Sequence, residues 1–144
     1  MKRNFLLLAF ALVISFVSYA QQASDSLSLL IQQEKDERKK HALLLALCDK
    51  YRTYSTDSLY HYSQQAIALA DKSGNKFSIA ASYLYLGVYY YKTSRLDSVK
   101  QIIRYIHQQL PSPESSAEKQ LINKSEILLA GVHVKENNQQ EALT

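Results

Sequence analysis

The side chains of this 144-residue chain that could do chemistry are four histidines and one cysteine, namely His41, His61, His107, His133 and Cys48. A catalytic thiol needs a basic partner that holds it as the thiolate. The histidine nearest to Cys48 in sequence is His41, and seven residues of helix would put about 10 Å between them. We therefore predict that Cys48 is a small packing residue and not a nucleophile.

No sequence motif completes a catalytic or metal site around these residues. The chain has no HExxH, no CxxC, no glycine-rich phosphate loop and no G-x-S-x-G, which are spacings that zinc, phosphate groups and acyl transfer require. Asp57, Ser58 and His61 suggest a catalytic triad, but an aspartate and a serine at a helix start are ordinary N-caps. We predict no enzymatic activity, no cofactor and no metal site.

The elements that carry these residues are predicted to be helices. Three glycines and two prolines in the whole chain favour long helices over a turn-rich β fold. Within residues 80–113, the first apolar stripe consists of Tyr83, Leu86 and Tyr90. The second consists of Val99, Ile103 and Ile106. Both stripes have helical spacing; Gly87 beside the first lets another helix come close, and Pro111 ends the second helix.

This helix pair recurs on both sides of the central unit. Aligning Leu47 and Leu129 with Leu86 places Cys48 and Ala130 at the small-residue position of Gly87. The predicted units cover residues 41–75, 80–113 and 119–144. Gly74 suits a left-handed helix stop between the first two units, and Ser112 or Ser115 suits the start of the third.

The third unit is predicted to be incomplete. We expect a turn at Asn137 and Asn138, followed by only a few residues of a second helix before Thr144. So short a helix cannot hold itself in water, and Leu129 and Val132 would then have no packing partner. We expect that the chain is a fragment of a longer protein or that its last helix is loose.

Residues 1–20 are predicted to be a secretory signal peptide. Lys2 and Arg3 precede an uncharged apolar run, and small residues follow at the cleavage position before Gln21. An uncleaved membrane anchor is the alternative, although the run is shorter than the roughly 20 residues that span a bilayer. Residues 21–40 are predicted to form a covering helix and a charged link. The remainder is expected outside the cytoplasm, periplasmic or anchored in the membrane by a segment further downstream.

Charge argues against nucleic acid as a partner. Removing Lys2 and Arg3 takes two of the 17 basic residues, so that 15 remain against 13 acidic ones and the net charge falls from +4 to +2. A nearly neutral chain lacks the strong basic surface of a nucleic-acid-binding domain. Any contact with a membrane would come only through a missing C-terminal segment.

The central unit resembles a tetratricopeptide (TPR) repeat, a helix–turn–helix unit of 34 residues. With Ala80 as position one, Gly87 falls at position eight and Pro111 at thirty-two. The stretch YSQQAIALADKSGNKFSIAASYLYLGVYYYKTSRLDS over residues 62–98 also resembles the TPR regions of secreted or membrane-anchored proteins of Bacteroidetes-type bacteria. The resemblance implies an all-α, TPR-like α-solenoid of antiparallel helix pairs, about two and a half repeats long, after the signal peptide.

In a TPR array the first helices of the repeats line a concave groove. Carried onto this chain, the resemblance implies an apolar and aromatic groove with a basic rim. The residues predicted to bind a partner are Asp49, Arg52, Leu84, Tyr85, Val88, Tyr91, Lys92, Lys124 and Lys135. The same positions of the third unit include Ile127, Leu128 and Gly131. Tyr85 and Tyr91 would be the anchors, and a helix or extended peptide of some acidic character would suit the groove.

The resemblance implies a non-catalytic interaction scaffold with an unidentified protein or peptide partner. In this group of bacteria such arrays often form the extracytoplasmic sensor half of histidine kinases or helix-turn-helix regulators. The alternative is a stand-alone exported periplasmic adaptor or assembly scaffold. The groove residues could instead pack against neighbouring helices or against a second copy of the chain.

Overall fold

The computed structural model describes residues 27–141, and every regular element among them is a helix. Residues 27–33 are helical (α1). The five longer helices are α2 (Glu37–Tyr54), α3 (Thr56–Ser73), α4 (Lys76–Lys92), α5 (Leu96–Gln109) and α6 (Ser116–Glu141). None of the helices in the described part of the chain is long and apolar enough to cross a membrane. The predicted signal peptide at 1–20 and the last residues, 142–144, lie outside the described residues.

The helix α1 belongs to a unit of its own, separate from α2–α6. Within it Ile31 is buried, whereas Leu29 and Leu30 are about half exposed. The covering role that the sequence suggests for this segment stays a prediction.

Helices α2–α6 stack as antiparallel pairs. Each helix packs against the next, and α4 also contacts α2 and α6. The connections are short, a single residue at Ser55 and two at Gly74 and Asn75, so consecutive helices must reverse direction. Helices α2, α4 and α6 therefore form one layer, with α3 and α5 as the other. The predicted all-α solenoid of helix pairs is confirmed.

The helix ends follow local side-chain chemistry. Gly74 ends α3 with a φ of 66°, a left-handed conformation that costs glycine little. Before α6, the Ser115 hydroxyl accepts the N–H of Glu118 (3.2 Å), and the Glu118 carboxylate accepts the N–H of Ser115 (2.9 Å). This reciprocal pair is a capping box, so Ser115, one of the two predicted caps, starts α6.

The turn predicted at Asn137 and Asn138 is wrong, because α6 continues through both residues to Glu141. Asparagine only weakly disfavours a helix interior, and no glycine or proline follows Gly131 to stop the helix. Val132, expected to lack a partner, is fully buried in a cluster with Leu96, Val99 and Ile103. The third unit is thus a single long helix held by its buried face.

Gly87 lies where three helices meet. A Cβ atom at this position would come within 3.2 Å of Ile102 Cγ2 on α5 and of Leu128 Cδ2 on α6. The absence of a side chain lets α4 approach both helices closely, as the sequence pattern predicted. Cys48, at the equivalent position of α2, is also fully buried.

Candidate groove for a partner

A groove of about 550 Å³ lies on the layer formed by α2, α4 and α6. Because side chains three and four positions apart share a helix face, each helix presents a short stripe to it. The stripe of α2 consists of Asp49 and Arg52. The stripe of α4 consists of Leu84, Tyr85, Val88 and Tyr91. The stripe of α6 consists of Lys124, Ile127, Leu128 and Gly131.

Seven of the nine predicted binding residues line this groove, namely Asp49, Arg52, Leu84, Tyr85, Val88, Tyr91 and Lys124. The other two, Lys92 and Lys135, do not. Lys92 is exposed in the last turn of α4. The ammonium of Lys135 lies 4.1 Å from the centre of the Tyr91 ring and donates to the Tyr91 carbonyl oxygen (2.8 Å). Lys135 therefore contacts Tyr91 and is not among the residues that line the groove.

The acidic residue of the groove is paired within the chain. Asp49 Oδ1 accepts from Arg52 Nε (3.1 Å) and from the Tyr85 hydroxyl (3.3 Å). Burial, and then the nearby Asp49 carboxylate, raise the pKa of Tyr85, so its hydroxyl stays protonated and remains a donor. The carboxylate thus orients two groove side chains from two helices.

Lys124 faces the groove from the opposite wall. It is exposed, and no carboxylate within residues 27–141 lies in ion-pair distance of it. With Asp49 paired to Arg52, the groove carries one uncompensated positive charge. The arrangement favours an acidic group on the Lys124 side.

The apolar part of the groove depends on the close approach of the Tyr91 ring on α4 to Gly131 on α6. A Cβ atom at Gly131 would lie 3.1 Å from the Tyr91 hydroxyl oxygen, so only glycine leaves the ring its present place. Sequence reasoning did not find the contact between Tyr91, Gly131 and Lys135. The sequence feature that could have indicated this contact is that Gly131 on α6 and Tyr91 on α4 both fall at groove positions of the repeat.

Cys48 is in a packing role and Ser58 in a capping role. Cys48 is fully buried, and burial raises its pKa to about 12, so the reactive thiolate is not available near neutral pH. Ser58 donates its backbone N–H to the N-cap Ser55, and His61 pairs with Gln65. In the described part of the chain no group of three or more metal-ligating side chains comes together.

His41 and Ser82 form a buried hydrogen bond between α2 and α4. The distance between His41 Nε2 and Ser82 Oγ is 2.8 Å, and the serine hydroxyl also donates to the Ser78 carbonyl oxygen (2.8 Å). The serine proton is therefore engaged by the backbone, and the imidazole N–H is the donor to Ser82. This geometry joins two helices and does not activate a nucleophile.

We expect His41 to make stability depend on pH. Burial lowers its pKa below the ordinary value of 6.5, so as the pH falls through 6.5 the unfolded chain gains a proton that the folded chain does not. The contribution of His41 to the free energy of unfolding should therefore be largest above pH 6.5. It should decrease as the pH falls from 6.5 to the lowered pKa of His41 in the folded chain. Urea midpoints measured between neutral and mildly acidic pH would show this decrease. Glu37 and Arg38 line the same small cavity as His41.

The matched variant is His41→Gln, which keeps a donor for Ser82 without a titrating ring. Its midpoint should change less with pH than that of the natural chain. An identical pH dependence in the two proteins would contradict the assignment to His41.

The comparison with protein-family models finds the SusR N-terminal TPR domain, matching residues 16–118. The match covers more than two thirds of the chain, including α2–α5, and ends just after α6 begins. Neither the curated proteins nor the solved structures gave a match. The predicted relation to TPR proteins of Bacteroidetes type is confirmed. This chain belongs to the family of SusR N-terminal TPR domains.

Proposed function

We propose that this domain binds a segment of a protein partner in the groove between α2, α4 and α6. TPR repeats are non-catalytic scaffolds that generally bind proteins. The observation that carries the proposal is the convergence of groove residues from three helices on one concave surface. Its apolar and tyrosine-rich base offers a large contact area at little cost in side-chain entropy.

The groove chemistry favours an acidic, apolar segment. Apolar side chains of the partner would cover Leu84, Val88 and Leu128, which belong to the uncharged part of the lining. A carboxylate would reach Lys124, which has no ion-pair partner among residues 27–141. The charges of Asp49 and Arg52 compensate each other. These two residues therefore determine the shape of the α2 wall of the groove more than its charge.

We further propose that the domain is the extracytoplasmic sensor region of a larger signalling protein, a histidine kinase or a helix-turn-helix regulator. The description of the family as an N-terminal domain supports this context. Reading the gene beyond the codon for Thr144 tests it. An open frame with a membrane helix and an output domain would support the sensor, whereas an early stop codon would favour the stand-alone exported adaptor.

The groove itself can be tested with a library of short random peptides displayed against the purified chain. Selected peptides should combine apolar with acidic residues. Their affinity should fall about tenfold or more in Lys124→Glu, because the variant replaces an attraction by a repulsion. Fluorescence anisotropy with a labelled selected peptide measures the change.

The control is Lys92→Glu, which makes the same charge change at an exposed lysine outside the groove. It should leave the affinity nearly unchanged. Equal losses of affinity in the two variants would mean that the net charge of the chain causes the loss. The groove would then not be the binding site.

A further inference from the structure

An apolar stripe on α6 is left uncovered by the residues that the structure describes. Ile127 and Val134 are 69% and 59% exposed, and Ala130 between them is exposed as well. The spacings of three and four place all three residues on one face of the helix. Exposed apolar side chains grouped in this way mark a surface that another element covers.

The equivalent stripe of α4 shows what kind of element fits. The alignment of Leu86 with Leu129 makes Leu84 the counterpart of Ile127, and Tyr91 the counterpart of Val134. Leu84 is buried in a cluster with which Leu128 of α6 packs, and Tyr91 lies against Gly131. On α4 these residues line the groove and also pack against α6, so the equivalent stripe on α6 can accept a helix beside it.

We propose that the α6 stripe, defined by Ile127, Ala130 and Val134, docks on the same stripe of a second copy. In an antiparallel pair of α6 helices related by a two-fold axis at Ala130, Ile127 of each copy lies within one residue, about 1.5 Å along the helix axis, of the level of Val134 in the other. The small side chain at the axis permits a close approach of the helices. The stripe is thus complementary to itself, as an isologous interface requires.

The charges beside the stripe fit the same pairing. In the antiparallel arrangement Glu126 of each copy comes close to His133 of the other. The Glu126 carboxylate can then accept a hydrogen bond from the His133 imidazole, once at each end of the paired stripe. Both side chains are at least half exposed, although each also has a partner in its own chain, His107 for Glu126 and Glu136 for His133. A parallel pair would instead place Glu126 beside Glu126, which is repulsive.

Cysteine cross-linking tests the geometry in the full chain. In Ala130→Cys the two introduced cysteines face each other at the two-fold axis. The proposed pairing places their Cα atoms within the separation of about 4.4–6.8 Å that a disulfide needs. Mild oxidation should give a covalent dimer on a non-reducing gel. The natural Cys48 does not compete, because it is fully buried with its pKa raised to about 12.

The matched control is Gln120→Cys, also exposed on α6. In the antiparallel pair its two copies are separated by twenty residues of helix, or about 30 Å, so it should not cross-link. Equal yields from the two variants would mean a parallel pair or random collision, and would overturn the proposal.

Sedimentation velocity over a range of concentrations measures the association without a cross-link. Val134→Lys should weaken dimerisation about tenfold or more, while Tyr54→Lys, at a residue 82% exposed on α2, should leave it unchanged. Ile127 also lines the groove, whereas Ala130 and Val134 do not, so Ala130→Cys and Val134→Lys test the dimer without altering a groove residue. A chain that stays monomeric and gives no Ala130→Cys dimer refutes the proposal.

Discussion

Replacing Gly87 with leucine is expected to lower the free energy of unfolding by about 1–3 kcal/mol through overpacking. The first added carbon would already lie 3.2 Å from Ile102 and 3.2 Å from Leu128, so both neighbouring side chains would have to shift. Leucine gains about 1 kcal/mol over glycine in helix propensity, so the net loss shows that packing outweighs propensity. Urea unfolding followed by circular dichroism measures it.

The control for Gly87→Leu is Ala42→Leu, a small-to-large change at an exposed position of α2. It should be close to neutral. An unchanged midpoint for Gly87→Leu would mean that no helix contacts Gly87. Because Leu128 also lines the groove, the same variant should weaken peptide binding, which links the packing of α4 on α6 to the proposed function.

Introducing an aspartate at Val132 is expected to destabilise the domain by about 3–5 kcal/mol, because it buries a charge with no partner. Val132 is fully buried against Leu96, Val99 and Ile103. The same substitution two residues later, Val134→Asp, falls on a side chain that is 59% exposed and should change the free energy of unfolding by no more than about 0.5 kcal/mol. Urea midpoints at low protein concentration compare the two variants.

A small effect at both positions would show that α6 is loosely attached, as the sequence alone suggested for the end of the chain. The distinction matters for the groove, since Lys124, Leu128 and Gly131 form its third wall on this helix. Most of α6 also lies beyond the part of the chain that the family model matches. Its attachment is therefore best tested directly.

Local patterns in the sequence were enough to predict the first two helix pairs, and the resemblance to TPR repeats implied which face of each helix lines the groove. Helical spacing places Leu84, Tyr85, Val88 and Tyr91 on two adjoining rows of α4, and such spacing is a property of the chain alone. The caps at Gly74 and Ser115 are equally local, because each satisfies backbone groups within a few residues. The small residue at Gly87 indicated a close contact, although not which helices make it.

Only the tertiary structure decided how charges are distributed in the groove. Asp49 is held by Tyr85 across 36 positions of sequence, and Lys135 covers Tyr91 across 44. Such pairs depend on how neighbouring helices are rotated, which no spacing within one helix specifies. Local sequence leaves the end of α6 open, since asparagine only weakly disfavours a helix and no glycine or proline follows Gly131. The burial of Val132 against Leu96, Val99 and Ile103 is a long-range contact that attaches α6 to α5, and only the tertiary structure shows it.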